Sequence, residues 1–564
     1  MRVLIIGGVA GGATAAARLR RLDETAEIII LERSGFVSYA NCGLPYYISG
    51  VITDEEDLTL QTPESFWERF QIEVRVHHAA IAIDPAQKTV TVQCLEDGRV
   101  YTESYDKLIL SPGAKAVRPD FPGIENEKIV TLRTVEDTKQ IYAYIKEHHP
   151  KQAVVIGGGF IGLEMAENLM ESGIETYLLQ RRNQVLPFLD YDMACQVHAY
   201  LRSKGLHLRF NQAVTGFQQD GERLQVLLKD EEAIAADLVV MAVGVVPETN
   251  LAKAAGLKLG IKASIVVNDQ MQTSDPDIYA VGDAVEVTQF VTGQPALISL
   301  AGPANKQGRI AADAICGRNS TFHGSQASSV IKLFDMTVAT TGINEKTAQA
   351  SETVYDKVIT YSASHATYYP GATNMTIKTL FDPESGRILG AQIVGFTGVD
   401  KRIDVLATAI RAKMTAADLE ELDLAYAPPY SSAKDPVNMT GFVIENIRSG
   451  LVKQHHWHMI PEVFRDGNAV LLDVRTVAEF EGGCIPGAVN IPLDDLRDRM
   501  EELDRGKHIY VNCYSGLRSY IACRILTQSG FDCSNLSGGY RFYEGVYNDC
   551  CYDETPTHPC GIKL

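Results

Sequence analysis

A chain of 564 residues is too long for one hydrophobic core, and at about 150 residues per domain it predicts roughly three or four domains. The net charge of −19 excludes nucleic acid as a general partner, because phosphate binding needs a basic surface. No apolar run approaches the roughly 20 residues that cross a bilayer, so we expect a soluble protein without a membrane partner. Eleven cysteines without a dense framework are typical of a reducing compartment, which predicts a cytoplasmic location.

The first 112 residues open with an apolar strand, a glycine turn and an Ala-rich helix predicted over 13–21. A second strand is predicted over 27–31 and ends in an acidic residue. In GxGxxG turns the glycines let the backbone approach a pyrophosphate, and an acid about 20 residues later binds a ribose hydroxyl. A valine stands where the middle glycine is expected. The predicted contributors to this first dinucleotide site are Gly7, Val9, Gly12 and Glu32.

A second unit of the same kind begins at Ala153, where AVVIGGGFIGLEMAENL predicts strand, turn and helix, followed by a strand over 175–179. Its glycine pattern is complete. No acid stands at the end of the second strand, and an arginine there accommodates the 2′-phosphate of NADP. NADH and NADPH both remain open, and a purely solvated role for the arginines is an equal alternative. The residues predicted to contact this nucleotide are Gly157, Gly159, Gly162, Gln180 and Arg181, with Arg182 beside them.

The stretch TSDPDIYAVGDA at 273–284 resembles the second FAD signature of flavoprotein reductases with two dinucleotide domains. The resemblance covers residues 1 to about 445 and implies that Asp283, preceded by Gly282, binds the ribityl chain of FAD. It also implies a homodimer. The implied divisions are an FAD-binding domain at 1–112 and 244–322, an NAD(P)H-binding domain at 113–243 and a dimerisation domain at 323–450.

The segment SYANCGLPYYISG contains one cysteine, Cys42, where most flavoprotein disulfide reductases carry a CxxxxC pair. A lone cysteine in an apolar stretch is more often inert. Its setting resembles the single-cysteine branch of the family, which contains coenzyme A disulfide reductases, coenzyme A persulfide reductases, and NADH oxidases and peroxidases. The resemblance implies that Cys42 lies beside the flavin and cycles between thiolate and either mixed disulfide or sulfenic acid.

The motifs HATYYPG and AYAPPYSSAKD resemble those of coenzyme A disulfide reductases, in which two tyrosines approach the redox cysteine from the partner subunit. The resemblance assigns these roles to Tyr368 and Tyr426, whose phenols could protonate a leaving thiolate. Aromatic packing at an interface is the alternative. Residues at positions that contact coenzyme A in the relatives, with solvated side chains as their alternative, are Arg18, Arg21, Ser38, Asn41 and Lys434.

The segment from Ala469 onward resembles a rhodanese domain, predicted over 462–549. That family places a cysteine at the start of a loop leading into a helix, so that backbone N–H groups surround a thiolate or persulfide. The loop CYSGLRS implies that Cys513 carries the persulfide and that Arg518 adds positive charge, with helix-end solvation as the alternative for the arginine. Cys484 is expected to be structural.

Three further cysteines, Cys550, Cys551 and Cys560, stand near the C-terminus. A soft metal or thiol exchange would suit such a group. No second pair completes a zinc-type spacing, so we expect no metal.

Together these features predict an α/β chain with two Rossmann-like dinucleotide-binding domains, an α+β dimerisation domain and a C-terminal α/β rhodanese domain. The predicted activity is NAD(P)H- and FAD-dependent reduction of coenzyme A persulfide, coenzyme A disulfide or polysulfide, with sulfane sulfur relayed by the rhodanese domain. Two alternatives remain open. One is an NADH oxidase or peroxidase that uses a Cys42 sulfenic acid, and the other is a rhodanese-like domain that serves only for docking.

Overall fold

The computed structural model describes residues 1–465 and 467–553. Its contacts divide the chain into two compact units: Met1–Arg182 with Leu206–Ala327, and Asn183–Gly205 with the chain from Ser328 onward. Among the described helices, none is long and apolar enough to span a membrane.

The first unit begins with a parallel sheet in which β1 pairs with β2 and, on its other side, with β7. The strand predicted over 27–31 is confirmed, and the helix of this βαβ unit starts three residues earlier than the predicted position 13. A second, antiparallel sheet contains β4, β5 and β6. The elements are β1 (Arg2–Ile6), α1 (Ala10–Leu22), β2 (Glu27–Leu31), α2 (Leu44–Ile48), α3 (Pro63–Phe70), β3 (Glu73–Arg75), β4 (His78–Asp84), β5 (Thr89–Cys94), β6 (Val100–Ser104), β7 (Lys107–Leu110) and β8 (Ala114–Ala116).

The next segment forms a second parallel sheet, with strand order β12-β11-β10-β16-β9. The strand predicted over 175–179 is confirmed. Helix α6 differs from expectation, because it groups with the second unit although 113–243 was predicted as one nucleotide domain. The elements are β9 (Ile129–Val130), α4 (Val135–His148), β10 (Gln152–Ile156), α5 (Phe160–Glu171), β11 (Glu175–Leu179), α6 (Tyr191–Ser203), β12 (His207–Arg209), β13 (Val214–Asp220), β14 (Arg223–Leu228), β15 (Ile234–Ala236), β16 (Leu238–Met241) and β17 (Val245–Pro247).

The chain then returns to the first sheet, since β18 pairs with β7 and completes the order β18-β7-β1-β2-β3. Helix α8 packs against α1 so tightly that a Cβ on Gly308 would lie 2.3 Å from the carbonyl oxygen of Gly11. Only glycine permits this approach. The elements are α7 (Asn250–Ala254), β18 (Ile278–Ala280), β19 (Val287–Thr288), β20 (Pro295–Ala296) and α8 (Ala301–Ile315).

The second unit starts with an antiparallel sheet of order β21-β22-β25-β24-β23. Every residue of β25 is buried, as expected for a strand covered on both faces. Helices pack against this sheet, which makes the segment α+β as predicted. The elements are β21 (Ser329–Leu333), β22 (Met336–Gly342), α9 (Glu345–Ala350), β23 (Asp356–Ala363), β24 (Asn374–Phe381), β25 (Ile388–Gly395), α10 (Val399–Arg411), α11 (Ala416–Glu421) and α12 (Pro436–Arg448).

The C-terminal domain is a parallel sheet of order β26-β30-β29-β27-β28 with flanking helices. Its first strand precedes residue 462, the predicted start, because β26 pairs with β30. The side chains of Cys550 and Cys551, and all of Cys560, lie outside the described part of the chain. The elements are β26 (Lys453–His455), α13 (Ile460–Arg465), β27 (Ala469–Asp473), α14 (Val477–Glu481), β28 (Val489–Asn490), α15 (Leu496–Arg499), β29 (His508–Asn512), α16 (Leu517–Gln528), β30 (Cys533–Leu536) and α17 (Gly539–Asp553).

A fully buried lysine on β24 joins several parts of the second unit. The Lys378 ammonium lies 3.0 Å from Asp190, 2.7 Å from Asp192 and 2.5 Å from Glu345. Burial alone would lower the pKa of Lys378, but the three carboxylates raise it well above its ordinary value. The indole N–H of Trp457 also donates to Asp192, at 3.3 Å. The cluster therefore connects α6, α9, β24 and the segment that enters the C-terminal domain.

We expect the Lys378→Met variant to destabilise the second unit, because it leaves three buried carboxylates without their shared cation. Removing one partner of a buried ion pair costs about 3–5 kcal/mol. The chain has two tryptophans, so urea unfolding in a Trp67→Phe background reports the second unit through Trp457 fluorescence.

The matched control is Lys332→Met, which changes an exposed lysine on β21 of the same sheet. This control is expected to keep the parent midpoint. Equal midpoints for the Lys378 and Lys332 variants would contradict the structural role of the buried cluster.

Candidate active sites

The first glycine turn packs so closely that two of its glycines have no room for a side chain. Gly7 has φ of +94°, and a Cβ there would lie 2.1 Å from the Ser111 carbonyl oxygen. A Cβ on Gly12 would lie 1.9 Å from the carbonyl oxygen of Gly7. Val9, at the place of the usual middle glycine, directly precedes α1. The turn therefore keeps its tight geometry at the carboxyl edge of the sheet, where open α/β sheets bind ligands.

Glu32 lies at this same edge with its carboxylate held by the backbone. One carboxylate oxygen accepts the Gly8 N–H at 2.9 Å, and the other accepts the Ser34 N–H at 2.9 Å. The Ser34 hydroxyl also donates to Glu32, at 3.0 Å. An ionised carboxylate can accept about four hydrogen bonds, so capacity remains for a ribose hydroxyl. The geometry fits the dinucleotide site predicted for this turn.

Asp283 follows β18 at the carboxyl edge of the first sheet. It succeeds Gly282, whose φ of +81° is favoured by glycine and whose N–H donates to the side chain of Gln307 at 2.8 Å. The Asp283 carboxylate lies 3.4 Å from the Arg133 guanidinium. Since β18 and β1 belong to one sheet, Asp283 and the first glycine turn share an edge.

The second glycine turn repeats the geometry of the first and adds an open space. A Cβ on Gly157 would lie 2.2 Å from the Ala242 carbonyl oxygen, and one on Gly162 would lie 1.9 Å from that of Gly157. A Cβ on Gly159 would meet no described atom within 4 Å. The chain's own packing thus explains two of the glycines, whereas the third leaves room for the backbone approach that a pyrophosphate needs.

Two arginines follow β11, the strand that ends beside the second glycine turn. Arg181 and Arg182 are exposed, and neither guanidinium forms an ion pair with another described residue. Gln180 is anchored through its backbone N–H, which donates to the Arg209 carbonyl. These side chains can reach a nucleotide phosphate, although no geometry selects NADPH over NADH.

Cys42 lies in a short 3₁₀ turn, Asn41–Gly43, that leads directly into α2. Both Asn41 and Cys42 are exposed. Ser38, which has φ of +48°, donates its N–H to the Gly8 carbonyl at 2.8 Å. This bond fixes the cysteine loop against the first glycine turn and so brings Cys42 to the predicted flavin site.

The surroundings of Cys42 oppose ionisation of its thiol. Partial burial raises the pKa of Cys42, and the negative charges of Glu164 and Asp283 raise it further. Arg133 acts in the opposite direction. A thiolate at Cys42 therefore needs additional positive charge or hydrogen-bond donors from a ligand or another chain.

Glu164 is a site residue that the sequence reasoning missed. It lies on α5, the helix that follows the second glycine turn, and is hydrogen-bonded to the Tyr46 side chain. Burial and the nearby Glu167 raise the pKa of Glu164 to about 7. An acid two residues after Gly162, the last glycine of the nucleotide turn, was the available signal, because the start of that helix faces the ligand edge.

The residues predicted to contact coenzyme A have different environments. The guanidinium of Arg18 is mostly buried and pairs with Asp313 at 2.8 Å, whereas Arg21 is exposed on the same helix. Lys434 is exposed in the second unit. Within that unit the hydroxyls of Tyr368 and Tyr426 lie 2.8 Å apart, and these side chains are 74% and 46% exposed. The two phenols thus form an exposed, hydrogen-bonded pair.

Cys513 lies between β29 and α16 and is only 1% exposed. Its sulfur accepts the Gly516 N–H at 3.1 Å and the Ser519 hydroxyl at 3.2 Å. Gly516 has φ of +103°, which lets the loop turn back over the sulfur. The loop therefore directs two hydrogen-bond donors at the sulfur of Cys513.

A cavity of about 250 Å³ adjoins the Cys513 loop at Tyr514 and is also lined by Glu479, Arg475 and Tyr540. Arg518 forms a two-pronged ion pair with Glu479, with both contacts at 2.7 Å. Hydrogen bonding from Arg518 lowers the pKa of Glu479 to about 2. Much of the positive charge of Arg518 is therefore balanced inside the domain.

The fold and these sites define a flavin-dependent oxidoreductase joined to a rhodanese domain. The chain belongs to the pyridine nucleotide-disulphide oxidoreductase family, whose model matches residues 1–308. The dimerisation domain of that family matches 328–436, and the rhodanese-like domain matches 461–544. These matches confirm the predicted family resemblance and fold class. The family implies FAD and a nicotinamide nucleotide as cofactors.

Named relatives extend this similarity along nearly the whole chain. Coenzyme A disulfide reductase of Staphylococcus haemolyticus is 37% identical over 78% of this chain and 98% of that protein. The reduced Bacillus anthracis CoADR-RHD is 49% identical, with TM-score 0.95, over 97% of this chain and 98% of the other. The NAD-dependent persulfide reductase from A. fulgidus is 39% identical, with TM-score 0.90, over 96% and 100% of the two chains.

We expect Glu164→Gln to lower the pKa of the Cys42 thiol. Above about pH 7 the native carboxylate is charged and disfavours the thiolate, whereas glutamine carries no charge at any pH. The expected displacement is on the order of one pH unit. It is measured as the pH dependence of Cys42 alkylation by iodoacetamide in the FAD-loaded protein, with peptide mapping.

Glu171→Gln, at the exposed end of the same helix, serves as the control and is expected to leave the profile unchanged. An unchanged profile for Glu164→Gln would show that this carboxylate does not control Cys42.

Proposed function

We propose that this protein reduces sulfur–sulfur bonds of coenzyme A persulfide, coenzyme A disulfide or polysulfide at the expense of NAD(P)H. The observation that carries the proposal is the Cys513 loop, whose Gly516 N–H and Ser519 hydroxyl donate to the sulfur. A sulfur-binding loop of this kind, in the same chain as a reductase of the pyridine nucleotide-disulphide oxidoreductase family, favours sulfane sulfur as the substrate. The names of the relatives, a coenzyme A disulfide reductase and a persulfide reductase, support the same class.

The reductase reaction is proposed to start at Cys42. Its thiolate attacks the sulfur–sulfur bond, forms a mixed disulfide or persulfide on Cys42, and releases the other sulfur as a thiolate. Gly7, Gly12, Glu32 and Asp283 would hold FAD, which would supply the electrons from NAD(P)H that reduce the bond on Cys42. The exposed position of Cys42 leaves it accessible to a substrate sulfur.

Arg181 and Gln180 are proposed to contact the nicotinamide nucleotide at the second glycine turn. The free guanidinium of Arg181 would accept a 2′-phosphate, which is the feature that separates NADPH from NADH. The proposed coenzyme A contacts remain Arg18, Arg21, Ser38, Asn41 and Lys434. Of these, Arg21 and Lys434 offer exposed cations for its phosphates.

The tyrosine pair is proposed to protonate the thiolate that is released when Cys42 attacks the sulfur–sulfur bond. Tyr368 and Tyr426 are exposed, and each hydroxyl can donate to the other or to a ligand. Hydrogen bonding to Tyr426 raises the pKa of Tyr368, so Tyr368 retains its proton near neutral pH. In the proposed homodimer these phenols come from the partner subunit.

We expect Cys42→Ser to abolish anaerobic NAD(P)H oxidation that is stimulated by coenzyme A persulfide, because serine cannot form the sulfur–sulfur intermediate. The measurement is a substrate panel of coenzyme A persulfide, coenzyme A disulfide, polysulfide, peroxide and oxygen, each with NADH and NADPH. Cys316→Ser, a half-buried thiol of the first unit, is the control.

The same substrate panel distinguishes the proposed reduction of sulfur–sulfur bonds from the remaining alternative. Turnover confined to peroxide or oxygen would replace the proposal with an NADH peroxidase or oxidase that uses a sulfenic acid on Cys42. Full persulfide turnover in Cys42→Ser would exclude the mechanism.

We expect Tyr368→Phe and Tyr426→Phe to lower kcat for coenzyme A disulfide on the order of 100-fold, the lower end of general-acid catalysis. KM is expected to change little, because the aromatic rings remain. Tyr430→Phe removes another exposed phenol from the loop that carries Tyr426 and serves as the control. Equal kcat in all three variants would assign the tyrosines to packing instead.

A further inference from the structure

The cavity of about 250 Å³ beside the Cys513 loop has no ligand in the proposed reaction. The charged residues that line it are Arg475, Glu479 and Glu544. Tyr540, which also lines the cavity, donates its backbone N–H to the Cys513 carbonyl oxygen at 2.7 Å. A molecule in the cavity therefore lies beside the loop that carries the proposed persulfide.

Two guanidiniums near the cavity are already paired with carboxylates. Arg475 is buried, and it makes three contacts of 2.7–3.0 Å with the Asp473 carboxylate and donates to the Gly483 carbonyl oxygen at 2.7 Å. Arg518 makes its two contacts of 2.7 Å with the Glu479 carboxylate. Because each cation has its own counter-ion, neither offers an unbalanced positive charge to an anionic sulfur donor.

A third guanidinium, that of Arg541, belongs to a different cavity. It lies 5.0 Å from the Tyr361 ring and 6.0 Å from the Tyr514 ring. Arg541 and Tyr361 line a cavity of about 280 Å³ that also contacts α6, whereas Tyr514 lines the cavity beside the Cys513 loop. Arg541 therefore faces ring surfaces and the second cavity, and it does not line the first.

Glu544 on α17 is the remaining charge of the cavity beside the Cys513 loop, and it has no ion pair with another described residue. Its Oε1 accepts the Tyr540 hydroxyl at 3.1 Å. Burial and the negative charge of Glu544 raise the pKa of Tyr540 to about 12, so the phenol stays protonated and continues to donate. One carboxylate oxygen of Glu544 is thus held in place, while the other is available to a ligand.

Aromatic rings stand beside this carboxylate. Tyr514 and Tyr540 line the cavity, and Tyr514 is 43% exposed. The Arg475 guanidinium lies 4.1 Å from the centre of the Tyr540 ring, so one face of that ring already binds a cation of the protein. A carboxylate next to aromatic faces attracts an ammonium group, whereas the same carboxylate repels a dianion. The cavity therefore favours a sulfur donor that carries a positive charge.

We propose that this cavity binds the sulfur donor of the C-terminal domain, and that Glu544 selects organic persulfides that carry an ammonium group. The Glu544 carboxylate would pair with the ammonium, the Tyr514 ring would cover it, and the sulfur end of the donor would lie toward the Cys513 loop. The inference rests on the proposed role of Cys513 as a persulfide carrier. It deepens that role by naming the chemical class of the donor.

The transfer balances in atoms and electrons. The Cys513 thiolate attacks the outer sulfur of the donor persulfide, RS–SH, and the bond between the two donor sulfurs breaks. The donor leaves as the thiolate RS⁻, and Cys513 gains the outer sulfur together with its hydrogen as a persulfide. No outside oxidant or reductant is needed, because the sulfane sulfur changes only its carrier. The ammonium stays on the leaving group, so it holds the donor in place without entering the reaction.

The test compares aminoethyl persulfide with hydroxyethyl persulfide, two donors of nearly equal size that differ in an ammonium or a hydroxyl group. Thiosulfate is the third donor and presents a dianion. The full-length, FAD-loaded protein with the Cys42→Ser substitution, which keeps sulfur from reacting at Cys42, is mixed with each donor without oxygen and without NAD(P)H. Samples are alkylated at timed intervals, and peptide mapping by mass gives the rate at which Cys513 gains one sulfur atom.

In this parent protein we expect aminoethyl persulfide to load Cys513 about five times faster than hydroxyethyl persulfide, the factor that a partly exposed ion pair provides. Thiosulfate should be the slowest donor. In Glu544→Gln the ratio of the two persulfide rates should fall toward one and the thiosulfate rate should rise, because the carboxylate that attracts the ammonium and repels the dianion is lost. Glu481→Gln, at the exposed end of α14 in the same domain, is the control and should keep the parent ratio.

The outcomes distinguish this inference from the function on which it rests. Equal rates for the two persulfides in the parent would overturn the selection of ammonium donors, while the sulfur gained by Cys513 would preserve its carrier role. A parent-sized ratio in Glu544→Gln would overturn the inference as well. If Cys513 gains no sulfur from any of the three donors, the carrier role fails and this inference fails with it. The comparison of donors in the parent needs no variant, so it decides the matter even if Glu544→Gln does not fold.

Discussion

A lysine ammonium buried without water must be surrounded by negative charge, and this requirement at Lys378 organises the second unit. Its partners come from separate parts of the chain, with Asp190 and Asp192 at the start of α6 and Glu345 at the start of α9. The residues on α6 belong, in sequence, to the stretch between two strands of the nucleotide-binding sheet. Because the ion cluster needs their carboxylates, this helix is held in the second unit and not in the first.

Once α6 is fixed in this way, it provides the surface that receives the C-terminal domain. Asp549 on α17 accepts a hydrogen bond from Tyr191 at 2.7 Å and pairs with Arg202 at 2.6 Å, and both partners lie on α6. Elsewhere on α17, the Arg541 guanidinium lies 5.0 Å from the Tyr361 ring on β23 and 6.0 Å from the Tyr514 ring in the Cys513 loop. The cysteine loop is thereby held in place by the same packing that anchors the domain.

The sequence predicted those features that local patterns encode. The glycine turns, the strands over 27–31 and 175–179, and the loop after β29 follow from residue spacing within short segments. The partners of Lys378 could not be found in this way, because a lysine within NMTIKTLF is indistinguishable from a solvated strand residue until distant carboxylates meet it. The raised pKa of Glu164 and its place beside Cys42 were missed for the same reason, because both depend on packing that only the tertiary fold creates.

The two predicted sulfur sites, Cys42 and Cys513, have different electrostatic surroundings. At Cys42 neighbouring carboxylates and partial burial oppose the thiolate, so its reactivity must come from groups that arrive with a cofactor, substrate or partner subunit. At Cys513 the donors belong to the loop itself, and the sulfur is almost completely buried. A sulfur whose hydrogen-bond donors belong to its own loop is suited to holding a bound sulfur atom, whereas one that depends on its ligands for ionisation is suited to turning over with them. This difference supports the proposed division of roles, in which the C-terminal domain holds sulfur and the flavin domain reduces it.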